Sequence, residues 1–564
     1  MRRVSRGSCG TLAPDERDGS CAARSVVRGV QPLTEHCEVA VVGSGFAGSL
    51  MARILAVQGY RVTLLERGSH PRFAIGESST PLANLSLERI ARRYGLSDCH
   101  SLAAHGRWLA HLPRVGRGLK RGFTFYRHHA GRAFDDSGAE LERLLVAASP
   151  NAQVADSHWL RADVDHHFVQ RAVDAGADYR DHVELTAAEA SATGMRLRGQ
   201  RQGRPLDIEA GFVIDASGPN GFLARHLDIP NRTDVVQTHS ALVFSHFAGV
   251  GLMTDVVPRM PIGPYPDDWA AAHHLLDEGW MYSLRFDDGA TSAGFLLSPG
   301  GLNSLTPAER ETPAIMWRAL VGRYPTLDAL FASATPTRPM EYHARIQHRL
   351  ARSTGERWAM LPHAFAFVDP LFSTGIAWGL RAVERLALAF ESAQTRGRTP
   401  ANADLERYAM LLDREARQID ALVAGAYDAM SHFDLFAAHA MVYFASVSFA
   451  EVQQRIRPDD GTAWQGLLGV GDRALAPLVD ASRHRLAALT RDGRSAGTIE
   501  DRREFASWIR QAIDPWNIAG LADPARGNLY PADLSTVVDS HAKLGLTRDE
   551  VLASAPALRG VAAD

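Results

Sequence analysis

The segment CEVAVVGSGFAGSLMARILAVQGYRVTLLER, residues 37–67, constrains the fold more than any other part of the chain. The apolar run Val39 to Val42 reads as a buried parallel strand. Gly43-Ser44-Gly45-Phe46-Ala47-Gly48 follows and opens a helical pattern that runs to about Gln58, where Gly59 marks a stop. A second strand, Arg61 to Leu65, ends on Glu66, 23 residues after Gly43. Each residue type has a physical reason. Gly43 permits the tight turn, Gly45 lets backbone N–H groups approach a pyrophosphate at the helix N-terminus, and Gly48 lets the helix pack closely on the strand. A carboxylate at the end of the second strand can bind ribose hydroxyls. With strand, helix, second strand and terminal acid all in order, the segment reads as a dinucleotide-binding unit. Its candidate cofactor-binding residues are Gly43, Gly45, Phe46, Ala47, Gly48 and Glu66.

Two later blocks choose between dinucleotides. FVIDASGPNGFLARHL brings an apolar strand into Asp215-Ala216-Ser217-Gly218 and a short helix. WAMLPHAFAFVDPLFSTGIAWGLRAVERLALAF places Asp369-Pro370 before a long amphipathic helix. This three-part order resembles the FAD-binding fold of the p-hydroxybenzoate hydroxylase superfamily. The fold class expected is therefore α/β: a Rossmann-like FAD-binding domain of that type, a mixed β-sheet substrate region and a C-terminal helical region. The resemblance implies that Asp369 contacts the ribityl chain and that the following helix points its N-terminus at the flavin pyrimidine edge. It adds Asp215, Gly218, Asp369, Pro370, Thr374, Gly375 and Ile376 to the FAD-binding candidates.

Of the 61 lysines and arginines only Lys120 and Lys543 are lysine. A site needing charge alone would carry arginine in such a chain, as neighbouring Arg117 and Arg121 do. Lys120 lies in Lys120-Arg-Gly-Phe-Thr-Phe125, while Lys543 has no motif around it. Upstream, Gly76-Glu77-Ser78-Ser79-Thr80-Pro81 precedes a helix for which Thr80 and Pro81 read as N-cap and first position. The Gly-Glu-Ser block resembles the GE-[AS]-[ST]-x-P segment of flavin-dependent halogenases, and Lys120 falls in the register of that family's catalytic lysine. Ser373-Thr374-Gly375 resembles the family's halide- and flavin-proximal loop. The resemblance covers roughly residues 37–395. It implies that Glu77 and Ser78 line the flavin, that Lys120 is catalytic, and that Ser373, Thr374, Gly375, Phe372, Trp280, Tyr282 and His363 form the halide or substrate pocket, with His363 a candidate base. Two positions depart from the pattern. The family's W-x-W-x-I-P block appears as Trp280-Met-Tyr282-Ser-Leu-Arg285, and Phe372 stands where tryptophan halogenases carry glutamate.

The family chemistry implied is reaction of reduced FAD with O2 to a C4a-hydroperoxide, attack by chloride or bromide, and transfer through the lysine to an electron-rich aromatic. That aromatic is either free or carrier- or peptide-bound. A monooxygenase hydroxylating such a substrate without halide is the alternative, and the altered tryptophan block favours it. No reductase domain or second GxGxxG unit is evident, so an external NAD(P)H flavin reductase is the expected partner.

A net charge of −3 carries no footprint for nucleic acid. The four cysteines (Cys9, Cys21, Cys37, Cys99) and 23 histidines show no metal-ligand spacing, so no metal is expected and the chain reads as a reduced, cytoplasmic protein. No run of about 18 uninterrupted apolar residues predicts a transmembrane segment. The nearest, residues 433–450, reads as a buried helix or pocket wall. The expected organisation is a disordered extension over 1–36, an FAD-binding and substrate-sheet module over 37–398, and a helical region over 399–564.

Overall fold

A computed structural model describes residues 34–136, 141–257, 260–395, 397–457, 460–490 and 497–554. From Thr34 onward the chain is one compact unit. The expected N-terminal extension lies outside the described residues up to residue 33, and the first strand begins at Glu35.

The dinucleotide motif sits in an eight-stranded sheet. Its spine runs Trp358–Met360, Arg204–Asp215, Glu35–Val42, Val62–Leu65, Asp178–Arg180, all parallel. The central strand Glu35–Val42 lies between two parallel neighbours and is enclosed, so Val39 to Val41 are at most 1 % exposed. That is why they form an uninterrupted apolar run instead of an alternating one. Helix Phe46–Val57 follows and packs on helix Arg161–Asp174. The second sheet has nine strands among the described residues. Ala241–Ala248, Thr291–Leu297, Gly279–Arg285 and Ala271–Leu275 are antiparallel neighbours. Gly122–Arg127 then pairs parallel to Ala271–Leu275 and antiparallel to Arg143–Ala147. A short two-stranded ribbon, Arg117–Lys120 against Asp156–Trp159, lies beside it.

The C-terminal region is helical, as its periodicity predicts: Asn402–Ala429, Phe433–Ile456, Leu475–Thr490 and Ile499–Ala512. It is not purely helical. Leu529–Tyr530 adds a parallel strand to the edge of the second sheet beside Arg143–Ala147. Helix Phe433–Ile456 is the one described helix long and apolar enough to cross a membrane, yet 72 % of its most apolar window is buried within the fold. Its rings pack onto the second sheet: Phe436 against Phe125 at 5.2 Å and Phe444 against Phe123 at 5.4 Å. A buried ion pair fastens the same region. Arg385, in helix Thr374–Ala393, meets Glu415, and both side chains are 0 % exposed. Arg385 also donates to the carbonyls of Ala463 and Gln465, and Glu415 accepts from Trp378 Nε1 and the Leu467 amide.

Candidate functional site

The glycine loop behaves as its spacing requires. Gly43 has φ +104°, and a Cβ there would lie 2.4 Å from the Ala216 carbonyl oxygen. A Cβ on Gly48 would lie 2.1 Å from the Gly43 carbonyl oxygen. Gly48→Val is therefore expected to weaken FAD retention at least tenfold and to lower the melting temperature. Flavin absorbance after gel filtration checks this, and a flavin-saturated, wild-type-like variant would refute it. A Cβ on Gly45 would lie 3.6 Å from Arg161 Nη2, 3.7 Å from Asp165 Oδ2 and 3.9 Å from Arg72 Nη2. Arg161 lies 4.8 Å from the Phe46 ring and is paired with Asp165 at 2.8 and 2.9 Å. Asp165 in turn accepts the Phe46 amide at the helix N-terminus, beside Ala47. Two guanidinium groups, a helix N-terminus and the absence of a side chain at Gly45 suit a diphosphate.

Glu66 ends the second strand as expected. Its carboxylate accepts from the Ser44 amide and hydroxyl, the Gly68 amide and Arg72. Burial opposes its ionisation, but Arg72 and those donors hold it below the usual carboxylate range. Asp215 is enclosed and accepts from the Ser217 and Leu223 amides, which shapes the turn into Gly218 (φ +65°). Asp369 is committed to its own chain as well. Ser240 and Tyr427 donate to Oδ2 at 2.9 Å each, and the Leu371 amide donates to Oδ1 just past Pro370. Burial pushes this carboxyl up to about 7 despite these donors. Trp280 Nε1 donates to the Tyr427 hydroxyl at 3.0 Å, so Trp280 is wired to Asp369, while the Tyr282 ring lies tilted beside it at 6.3 Å.

Two serines join the start of helix Thr374–Ala393 to the segment that precedes helix Pro81–Tyr94. Ser373 has φ +52° and opens the helix that carries Thr374, Gly375 and Ile376. Its hydroxyl donates to the Ser78 hydroxyl at 3.1 Å. Neighbouring Glu77 lies 3.2 Å from His246 Nε2. His363 Nε2 would be 3.1 Å from a Cβ on Gly375, and burial lowers this histidine to about 4.

Lys120 is 0 % exposed. Its head does not snorkel to solvent: Nζ donates to the Ser79 carbonyl oxygen at 2.6 Å and sits 4.0 Å from the Phe123 ring centroid. Phe123 stacks on His273 at 5.7 Å, and Phe125 and Trp280 stack on the same imidazole at 4.6 and 5.3 Å. Phe372 stacks on Tyr443 at 4.5 Å, and the Tyr443 hydroxyl donates to the Phe372 carbonyl. Burial drives the Lys120 ammonium down from its ordinary value, against the pull of Asp156, and lowers His273 to about 3. Lys543 contrasts with it: its Nζ meets Asp514 at 2.8 Å on the partly exposed surface.

Sequence reasoning missed Arg72, Arg161 and Asp165 at the cradle, and Asp156, Asn84 and His273 near the lysine. Arg161 and Asp165 have the i,i+4 spacing of a helical ion pair, the one signal available for them.

A family profile described as FAD binding domain matches residues 36–250. Tetracycline 7-halogenase of Kitasatospora aureofaciens is 28 % identical over 413 residues, 71 % of either chain. Monodechloroaminopyrrolnitrin halogenase PrnC of Pseudomonas fluorescens is 28 % identical over 345 residues, covering 61 % of this chain and 59 % of that one. The chain is similar to flavin-dependent halogenases over about two thirds of its length. The crystal structure of halogenase PltM in complex with phloroglucinol and FAD shares the fold, at a TM-score of 0.76 and 23 % identity over 87 % of this chain and 98 % of that one. With the matched FAD-binding domain, this likeness makes the protein an FAD-dependent oxidoreductase.

Proposed function

We propose that this protein halogenates an electron-rich aromatic substrate, with Lys120 as the reactive amine. The observation that carries the reading is the complete enclosure of Lys120, with Nζ held by Ser79, one residue from the serine pair that joins the two segments read as flavin-proximal. Arginine would bring a permanent, delocalised charge there. A lysine in a dry pocket loses its proton readily and can then accept and pass on an electrophilic halogen.

The cradle of Gly45, Arg72 and Arg161 would hold the FAD diphosphate, and Glu66, released from Ser44, the ribose. Thr374 to Ile376 would face the flavin ring. Reduced FAD, when bound, supplies the oxidising chemistry with O2. The residues of this chain bind halide near Ser373 to Gly375, exclude water with Phe123, Phe125, Phe372 and Tyr443, and hold a proton at Lys120 Nζ. The aromatic walls suit a flat ring system, and the two curated relatives carry tetracycline and monodechloroaminopyrrolnitrin in their names. A carrier-bound substrate is a further option, since another relative is named for pyrrole-2-carbonyl peptidyl carrier protein.

We read residues 37–398 as the FAD and substrate-sheet module and 399–564 as a helical module whose Phe433–Ile456 helix walls the pocket. Buried, unbridged Cys37 and Cys99 suit a reduced, cytoplasmic setting. Tyr282, in place of a second tryptophan, favours halide-independent hydroxylation as the second reading.

One assay separates them. Enzyme supplied with FADH2, O2 and bromide is expected to brominate monochlorodimedone or a phenol. NADPH in place of FADH2 is expected to give no product until a flavin reductase is added. Hydroxylated product formed without any halide dependence would overturn the halogenase reading.

A further inference from the structure

We propose that Asp156 is a positioning residue for Lys120, its buried carboxylate setting the charge that the amine carries. The inference rests on the reading of Lys120 as the reactive amine.

Lys120 and Asp156 are direct partners in the antiparallel ribbon Arg117–Lys120 with Asp156–Trp159. Directly opposed residues share one face of such a ribbon. Both are enclosed, at 0 % and 2 % exposure. Asn84 Nδ2 donates to Asp156 Oδ1 at 2.8 Å and so fixes the carboxylate from helix Pro81–Tyr94. The other oxygen, Oδ2, is fully buried and has no hydrogen-bond partner among the described residues. A carboxylate is seldom left half-satisfied in a dry interior, because the loss of solvation is not repaid. Facing an amine across the ribbon repays it: each charge stabilises the other through a medium that screens poorly.

The surroundings leave Asp156 as the unneutralised counter-charge. His158 on its own strand and His273 on Ala271–Leu275 are buried neutral, and Lys120 opposes their protonation further. On helix Phe433–Ile456, Tyr443 is un-ionised, and Arg455 is tied to Glu451 at 2.7 Å and to Glu88 at 2.9 Å. Phe372 brings only an aromatic ring to the far wall. Burial drives Lys120 toward the free amine and Asp156 toward the neutral acid, and each holds the other back from that limit. The amine is thereby kept close to the balance between donor and nucleophile, where one residue can serve both roles.

The two-lysine composition allows a direct test that needs no turnover. Protein labelled with 13C at lysine Cε carries two signals, Lys120 and the surface control Lys543. In Asp156→Asn the Lys120 titration midpoint is expected to fall by about one pH unit or more, a tenfold loss of proton affinity. Asn84→Ala, which removes a donor that favours the carboxylate, is expected to shift it in the same direction by less. Lys543 should not move in either variant. If Asp156→Asn does not fold, Asn84→Ala decides alone. Unchanged Lys120 midpoints, or a Lys120 signal that stays protonated in wild type and variants alike, would overturn the proposal. The titration is independent of halide. A shifted midpoint in an enzyme that fails the bromination assay would separate this proposal from the halogenase reading.

Discussion

Lys120→Arg is expected to abolish halide-dependent product formation, by about 10²–10⁴-fold in kcat, while FAD stays bound. The reason is geometric as well as chemical. Nζ reaches the Ser79 carbonyl at 2.6 Å in a space with no exposed surface, so a planar fork with five donors has neither the room nor the acceptors. The guanidinium would also stay protonated where burial brings an ammonium within reach of losing its proton. Lys120→Met keeps the volume and removes the nitrogen, so it separates crowding from chemistry. Both variants should continue to consume O2 with FADH2 and release peroxide. That retained uptake shows that the flavin site is intact. Halogenation by Lys120→Arg at more than about a tenth of the wild-type rate would mean that position 120 supplies charge alone.

The second large effect concerns stability. Arg385→Leu or Glu415→Gln is expected to lower the unfolding free energy by about 3–5 kcal/mol, because each leaves its partner buried and unpaired. Arg385 donates to Glu415 through two nitrogens, and Glu415 additionally holds the Leu467 amide and the Trp378 indole. Losing either member therefore unlatches helix Thr374–Ala393 from Asn402–Ala429 and from the segment after Phe433–Ile456. The double variant Arg385→Met with Glu415→Leu should recover only part of the loss: it removes the unpaired charge but leaves the Trp378 indole, the Leu467 amide and the Ala463 and Gln465 carbonyls without these partners. Urea unfolding followed by tryptophan fluorescence would read this. Single variants within about 1 kcal/mol of wild type would show that the pair is solvated in solution.

The parts of the fold that were legible in sequence are those where backbone geometry restricts residue type. Gly43 and Gly48 sit where a Cβ would strike a carbonyl oxygen, so glycine is required and the motif shows. Lys120 was legible for a different reason: an arginine-rich composition turned one retained lysine into a signal. Asp156 left none. A single acid in a four-residue strand is chemically silent until the ribbon folds and places Lys120 opposite it. The aromatic helix Phe433–Ile456 could be read as buried but not as facing Phe123 and Phe125, because helical periodicity carries no information about partners in another sheet. Asp215 and Asp369 were legible as acids at strand ends. What periodicity could not tell is that their oxygens are occupied by donors of their own chain. Leu529–Tyr530, at two residues, is too short for any alternation to register.

That last strand bears on how the molecule is made. Leu145 finds its neighbour in Leu529, near the far end of the chain. During synthesis the strand Arg143–Ala147 leaves the ribosome early and waits, with one row of N–H and C=O groups unpaired, until almost everything else has emerged. An open strand edge of this kind is a template for another copy to add onto. Leu529 lies 384 positions after Leu145 (529 − 145), a long interval in which nascent chains can pair with one another instead. Low temperature or a chaperone that shields this edge should raise the yield of folded enzyme more than any change at the flavin site.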